Sequence, residues 1–146
     1  AAVSLVFART SQAPQIGLRS NNPLLLSLLP MLYLQQVGTY DPKNTTINED
    51  KLASWLQDKI TGDLQDVPGI GPANKKLLEE AGVTNTFQLI GQYLTFKSGT
   101  VQEHQDAMWM WLKSIKVNAG RNNVILALAE KCDIFMPGIY DTSLYE

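Results

Sequence analysis

Cysteine, histidine and charged side chains are scarce in this chain of 146 residues. It contains one cysteine, Cys132, and one histidine, His104, and 18% of its residues are charged. A single cysteine cannot form an internal disulfide, and one cysteine with one histidine cannot complete a structural zinc site. The composition therefore excludes a domain held together by disulfides or zinc, and we expect no metal and no other cofactor.

Positive charge is not in excess either. The chain has 12 Lys and Arg against 14 Asp and Glu, so that its net charge is -2. It lacks the overall basic character of a strong binder of nucleic acid or anionic membranes, and any basic surface must be local. Hydrophobic residues make up 45% of the chain. That share is enough to bury a core, and the length suits one domain with an attached arm.

Acidic residues are absent from the first 40 residues, whose two charges are Arg9 and Arg19. An acid-free, Arg-bearing start that contains Ala and Ser is typical of organelle-targeting peptides. We therefore expect an organelle, plastid or mitochondrion, rather than the nucleus. The chain divides into an apolar, acid-free arm and linker at 1–47 and a folded domain at 48–146. The arm either lies across partner subunits or folds back on its own domain.

The most apolar stretch of the chain, residues 23–34, lies in this arm. It is shorter than the roughly 20 residues that cross a bilayer, so we predict no transmembrane span. Asn22 and Pro23 suit the start of a short helix, which would serve as a core helix, a contact with a neighbouring protein or a peripheral membrane contact. The side chains predicted to contact a partner here are Leu24, Leu25, Leu28, Leu29 and Met31.

From residue 48 onward the sequence has the start and stop signals of short helices, and no stretch alternates apolar and polar residues as a strand does. These signals predict helices at 49–60, 72–81, 86–95, 101–115 and 119–135. Asn48 caps the first helix, and Thr100 with Glu103 forms a capping box on the fourth. The sequence predicts an all-α bundle of five helices, in which the last helix turns Phe135 inward.

Two glycines flank an apolar residue between two of these helical segments, in the run VPGIGP at 67–72. Glycine lets the chain reverse tightly while Ile70 fills the cleft between the helices. The turn leaves backbone amides at the N-terminus of the next helix, where the positive end of the helix dipole attracts an anion such as phosphate. The candidate contact residues are Gly69, Ile70 and Gly71, with Lys75 and Lys76 in the helix that follows.

This motif resembles the helix-hairpin-helix superfamily, and later landmarks are similar to those of the barrier-to-autointegration-factor family. The landmarks are Gly91-Gln92-Tyr93-Leu94, Trp111-Leu112, Asn118-Ala119-Gly120 and the run 130–135, so that the likeness covers about residues 61–136. The resemblance implies a small helix-hairpin-helix (SAM-like) bundle, often a homodimer. It also implies a hairpin that contacts the backbone of duplex DNA without reading its sequence.

Several features argue against adopting that function directly. Residues 61–146 hold seven basic and ten acidic side chains, whereas DNA contact requires several cations, and Pro72 has no amide hydrogen to offer a phosphate. Two functions stay open. The favoured one is an accessory subunit whose arm and Trp109 bind neighbouring proteins in a larger organellar, membrane-associated assembly such as a photosystem. The alternative is a sequence-independent DNA-binding module.

No pair of residues suits catalysis, and we predict no enzymatic activity. His104 falls on the apolar stripe of its helix, which predicts a partly buried histidine with its hydrogen bonds satisfied. Cys132 lies on an inner face, where a free thiol acts as a small hydrophobe. The run 108–111 surrounds its helix with apolar groups, so that Trp109 is expected to face a second contact, either another subunit or the arm.

Overall fold

The computed structural model describes residues 39–146, and the regular elements of this range are all helical, with no strand among them. The α-helices are α1 (Glu49–Gln57), α2 (Pro72–Glu80), α3 (Thr86–Thr95), α4 (Val101–Ser114) and α5 (Arg121–Phe135). Short 3₁₀ turns lie at Pro42–Asn44, Leu64–Asp66 and Thr142–Tyr145. The predicted all-α fold is confirmed for the described part of the chain, with five helices as expected.

Side-chain caps set the starts of the helices where the sequence places them. The Asn48 carboxamide oxygen accepts hydrogen bonds from the amides of Asp50 and Lys51 at 2.8 and 3.2 Å, so α1 begins at the next residue. Thr100 and Glu103 each accept from the other's backbone amide, which completes the predicted capping box of α4. Such caps satisfy helix amides that have no partner within the helix.

Helix α1 ends at Gln57, earlier than the sequence predicts, and the reason lies elsewhere in the chain. The Lys131 ammonium, carried by α5, donates hydrogen bonds to the carbonyls of Trp55, Leu56 and Asp58. At the end of α1 these carbonyls therefore accept hydrogen bonds from an ammonium group, where a longer helix would supply backbone amides from further along the chain. A lysine distant in sequence therefore contacts the end of α1, which the residues near that end could not reveal.

The compact unit of the fold begins at Thr39, upstream of the predicted boundary at 48. Tyr40 is buried, and its amide donates to the Asp106 carboxylate at 2.8 Å. The Thr46 amide donates to the Asn123 side-chain oxygen at 2.9 Å. Residues 39–47 therefore pack on the helical domain, although their sequence reads as a linker.

Helix α5 is the central element of the described residues. It packs against α1, α3 and α4, and the Trp55 indole of α1 donates to its Ala127 carbonyl at 2.9 Å. Burial extends around most of the helix, since seven of its residues are buried: Val124, Ile125, Ala127, Leu128, Ala129, Lys131 and Cys132. A helix buried on several sides belongs to the interior of a bundle.

The last turn of α5 departs from the predicted pattern. Phe135 is 54% exposed, and its neighbour Ile134 is 62% exposed. The prediction that Phe135 points inward is wrong because the helix runs beyond the elements that cover it. The helix also starts later than predicted, at Arg121, because Gly120 adopts a left-handed conformation with φ of 80° as its N-cap.

The predicted partner contacts Leu24, Leu25, Leu28, Leu29 and Met31 lie outside the described residues. Within the range 39–146, no helix is both long enough and apolar enough to cross a membrane.

Candidate functional site

The hairpin at 67–71 is a tight turn whose geometry depends on glycine. The Ile70 amide donates to the Val67 carbonyl at 3.1 Å, and Gly69 has a φ of 95°. Pro68 followed by a residue with positive φ is the arrangement of a type II turn. Ile70 is 4% exposed and belongs to the core, so the turn is anchored by the apolar side chain that the sequence predicted to fill the cleft.

Gly69 packs directly on the turn between α4 and α5. A Cβ atom at this position would lie 2.9 Å from the Gly120 carbonyl oxygen and 2.9 Å from the Asn123 Cβ. A Cβ atom on Gly120 would in turn lie 2.8 Å from the Gly69 carbonyl oxygen. The two glycine turns therefore approach each other at backbone distance, which side chains would prevent.

A single carboxamide joins the same two turns. Asn74, in the first turn of α2, donates through its Nδ2 to the Gly69 carbonyl at 3.1 Å and to the Ala119 carbonyl at 3.0 Å. The N-terminus of α2 is thereby held beside the segment that leads into α5.

The predicted contact residues of the hairpin separate into two groups. Gly69 and Ile70 face the interior of the domain. Gly69 contacts the second glycine turn, which contains Gly120 and connects α4 with α5, and Ile70 belongs to the core. Gly71 is extended, and a Cβ atom placed on it would meet nothing within 4 Å, so its surface side is open. Lys75 is half-buried and Lys76 is exposed. Gly71, Lys75 and Lys76 are the members of the predicted set that a ligand can reach.

The second turn contributes cations that the sequence did not lead us to include in the site. The Arg121 guanidinium lies over the Trp109 ring at 4.1 Å from its centroid, and the Lys113 ammonium lies 5.6 Å from the same centroid. Lys116, which is exposed, occupies the turn itself. A signal was present in the sequence, because the landmark 118–120 contains a second glycine turn with basic residues on both sides.

Trp109, which the sequence predicts as a contact with a partner, lies beside two cations of its own chain. The Trp109 side chain is half-buried, and the Arg121 guanidinium lies over its ring. A cavity of about 370 Å³ opens beside it. The cavity is lined by Thr39, Asn44, Thr46, Trp109, Asn118, Gly120, Arg121, Asn122 and Asn123. No acidic side chain takes part in this lining.

Charge is distributed along α2 and α5 against the preference of the helix dipole. Helix dipoles favour acidic residues at the N-terminus and basic residues at the C-terminus. Helix α2 instead carries Lys75 and Lys76 in its first half and Glu79 and Glu80 at its end, and α5 begins with Arg121. Lys75 and Lys76 also stand four residues before Glu79 and Glu80, at the spacing of intrahelical ion pairs. Arg121, at the first position of α5, lies next to the second of the joined turns.

Cys132 and His104 are both buried in the described part of the chain. Burial raises the pKa of the Cys132 thiol to about 12, which leaves it protonated and unreactive, in agreement with the predicted small hydrophobe. His104 is fully buried and its Nδ1 has no hydrogen-bond partner, whereas the sequence predicted a partly buried ring with satisfied hydrogen bonds. The difference arises because the ring packs on Tyr93 inside the core. Among residues 39–146, no group of three or more His, Cys, Asp and Glu side chains could hold a metal ion.

Comparison of the sequence with protein-family models, with curated proteins and with solved structures yields no match in any of the three. Function is therefore inferred from the side chains and charges of the described residues.

Proposed function

We propose that this chain is a non-enzymatic module that binds the phosphate backbone of duplex DNA without reading its sequence. Of the two functions that the sequence leaves open, this one has the stronger geometric support. The observation that carries it is the junction of two glycine turns, at Gly69 and Gly120, which places the starts of α2 and α5 side by side with cations on both. Phosphate contact dominates affinity for DNA and requires such a local concentration of positive charge.

The junction provides more cations than the hairpin does. Lys75 and Lys76 belong to α2, and three further cations belong to the second turn and its flanks: Lys113, Lys116 and Arg121. DNA contact requires several cations, and these five residues in neighbouring segments provide more of them than the two lysines of α2 alone. On α2, Glu79 and Glu80 stand four residues after Lys75 and Lys76 and so lie one helical turn away from them. The cations of the second turn and its flanks therefore supply the positive charge that α2 alone does not have in excess.

Lys116 gives independent support. It has a φ of 75°, the one positive φ found among the described residues other than glycine. The left-handed conformation costs a residue with a side chain about 1–2 kcal/mol relative to glycine. A lysine in a position suited to glycine is consistent with selection for charge at this turn rather than for stability.

Binding to a labelled duplex of arbitrary sequence tests the proposal. If each of the five cations neutralises one phosphate, the slope of log affinity against log salt is about -4.5, and affinity falls about 500-fold between roughly 50 and 200 mM salt. Replacing Lys75 or Lys76 with alanine should reduce the slope by about 1. Lys116→Gly should weaken binding similarly while it raises the free energy of unfolding, because the strain at this turn is relieved.

Lys59→Ala is the matched control for these variants. Lys59 is exposed and follows the end of α1, which Lys131 ties to the opposite half of α5 from Arg121. Its removal should leave both affinity and slope unchanged. Absence of duplex binding at low salt would contradict the proposal, as would a salt slope that none of the three site variants changes. Two unrelated duplex sequences should bind equally.

The accessory subunit remains a second candidate function because apolar side chains are exposed at the end of α5. Ile134 and Phe135 are adjacent and more than half exposed, and Phe87 of α3 is 60% exposed. Exposed apolar patches mark protein interaction sites. In this function the chain would bind neighbouring proteins in a larger organellar assembly, with the arm as a further contact.

The subunit function predicts that the native protein is found in a complex whose mass is much larger than that of the chain itself. We expect the double variant Ile134→Ser/Phe135→Ser to keep its fold, because both side chains are exposed, and to lose stoichiometric co-purification with its neighbours. Deleting residues 1–38 should have the same effect if the arm is the anchor. Native mass spectrometry that finds the full chain alone or as a pair would contradict this function and leave the DNA proposal intact.

A further inference from the structure

The corner between α3 and α4 holds a buried histidine that lacks a counterion. His104 is fully buried, and its ring centroid lies 4.2 Å from that of Tyr93. His104 Nε2 lies 2.7 Å from the Tyr93 carbonyl oxygen. Because a carbonyl can accept but not donate, Nε2 carries the proton and donates it to this bond. Nδ1 is then a bare lone pair, and it has no hydrogen-bond partner.

The neighbouring polar side chain offers no acceptor for a second proton. Gln105 is also fully buried, and its Oε1 accepts a hydrogen bond from the Tyr93 hydroxyl at 2.9 Å. Its Nε2, which can donate but not accept, has no partner. A proton placed on His104 Nδ1 would therefore create a buried positive charge with an unsatisfied N–H, which is costly in an apolar interior.

The ionisable groups around the ring do not compensate for such a charge. Burial is the main cause that lowers the pKa of His104, the hydrogen bond to the Tyr93 carbonyl raises it, and Lys97, in the turn after α3, lowers it by repulsion. Tyr93 of α3 lies against the ring, and burial raises its pKa, so that it stays neutral. Cys132 of α5 interacts electrostatically with Tyr93, and it also stays neutral at ordinary pH because burial raises its pKa.

The acidic side chains of α4 itself have other partners. Glu103 accepts from the Thr100 amide at 2.7 Å as part of the capping box. Asp106 accepts from the Tyr40 amide at 2.8 Å. Neither of these two contacts directs a carboxylate to His104, and no carboxylate is among the causes that shift its pKa.

We propose that His104 is an acid-sensitive lock on the α3–α4 corner. At neutral pH the neutral ring joins α4 to the Tyr93 carbonyl at the end of α3, and protonation at Nδ1 opens the corner. The two states differ by one proton and by the exposure of the ring and of the Tyr93–Gln105 hydrogen bond. The lock is independent of the proposed DNA site, which lies at the other end of α4.

The direction of the pH dependence follows from proton linkage. Histidine exposed to water has a pKa of about 6.5. Desolvation by burial is the largest influence on His104, and it lowers the pKa in the closed state, as Lys97 also does. The closed state therefore binds fewer protons than the open state, and its stability is fully present above about pH 6.5 and falls below it. If the closed ring stays neutral down to pH 5, the folding equilibrium constant falls by about tenfold per pH unit below pH 6.5, which is at most about 30-fold between pH 7.5 and pH 5.

His104→Gln is the variant that tests this lock. A glutamine amide can donate to the Tyr93 carbonyl from about the position of Nε2, but it does not titrate. Urea unfolding of the full chain and of the variant at pH 7.5 and pH 5 gives two ratios of folding equilibrium constants. We expect the ratio of the constant at pH 7.5 to that at pH 5 to be larger for the natural chain than for the variant, by at most about 30-fold. Carboxylates such as Asp106 and Glu130 titrate in both proteins and cancel in the comparison.

A second measurement on the unaltered chain keeps the proposal testable if the variant does not fold. His104 is the sole histidine, so its ring resonance is identified without ambiguity in an NMR titration. We expect no titration of the folded ring near pH 6.5 and, below that pH, loss of hydrogen-exchange protection first at the amides of 93–105. Equal pH responses of the two proteins, or a folded ring that titrates near pH 6.5 with protection intact, would overturn the lock.

Discussion

Replacing Gly69 with alanine is expected to lower the free energy of unfolding by about 3 kcal/mol. The left-handed conformation costs a residue with a Cβ about 1–2 kcal/mol, and Gly69 has a φ of 95°. The new methyl group would also lie 2.9 Å from the Gly120 carbonyl oxygen. Since this neighbour is backbone, it cannot rotate away, and overpacking of this kind costs about 1–3 kcal/mol. Urea or guanidinium unfolding measures the loss.

Gly71→Ala is the control within the same hairpin. Gly71 has a φ of -99°, and nothing lies within 4 Å of the position that its Cβ would occupy. Because Gly71 caps α2 without a side-chain hydrogen bond, alanine should cost less than about 1 kcal/mol there. Equal losses for the two variants would show that the Gly69–Gly120 contact does not hold the turns together.

Replacing Lys131 with methionine is expected to lower the free energy of unfolding by about 2 kcal/mol. Methionine keeps the aliphatic contact with Trp55 but removes an ammonium that donates to the carbonyls of Trp55, Leu56 and Asp58. Of these residues Trp55 is buried, Leu56 is half-buried and Asp58 is exposed, and a buried acceptor left without a partner costs about 1–3 kcal/mol. Part of this loss is offset because the variant no longer buries a charge, whose desolvation already lowers the pKa of Lys131.

Lys51→Met provides the comparison, because Lys51 is an exposed lysine on α1 itself. Surface substitutions of this kind change stability by less than about 0.5 kcal/mol. Thermal or denaturant unfolding of both variants distinguishes a lysine that ends a helix from one that is solvated. If Lys131→Met were as stable as the natural chain, the end of α1 would not depend on the ammonium.

These stability effects separate the architecture of the site from its charge. Gly69→Ala should lower stability and should also weaken DNA binding by the folded chain, because a methyl group at this position separates the two turns that bring the cations together. Lys76→Ala should weaken binding while the unfolding transition stays in place, since Lys76 is exposed. Measuring DNA affinity and the free energy of unfolding for both variants shows whether affinity depends on the packing of the two turns or on the exposed cations.

Local sequence signals predicted the helix starts well because the relevant contacts span few residues. Asn48 caps the amides of residues two and three positions ahead, and the Thr100–Glu103 box closes over three. The hairpin could also be predicted from the sequence, because Pro68 and Gly69 favour its turn through their own backbone preferences. Contacts of this range depend on neighbours in sequence, so reading the chain suffices.

Other features failed prediction because their partners are far away in the chain. The end of α1 depends on Lys131, more than 70 residues downstream. The unsatisfied Nδ1 of His104 depends on how the ring packs on Tyr93. The exposure of Phe135 depends on where the elements covering α5 stop. Helical periodicity shows which side chains share a face, but not whether another element covers that face.

The amino-acid sequence by itself determined that the chain forms short helices, where most of them begin, and that a glycine turn precedes two lysines. The tertiary structure alone decided that this turn packs on the one at Gly120 and that Arg121 and Lys116 belong to the same region. The physical reason is that capping and turn formation act over a few residues of backbone, whereas a charged surface is assembled from segments whose proximity is set by packing of the core.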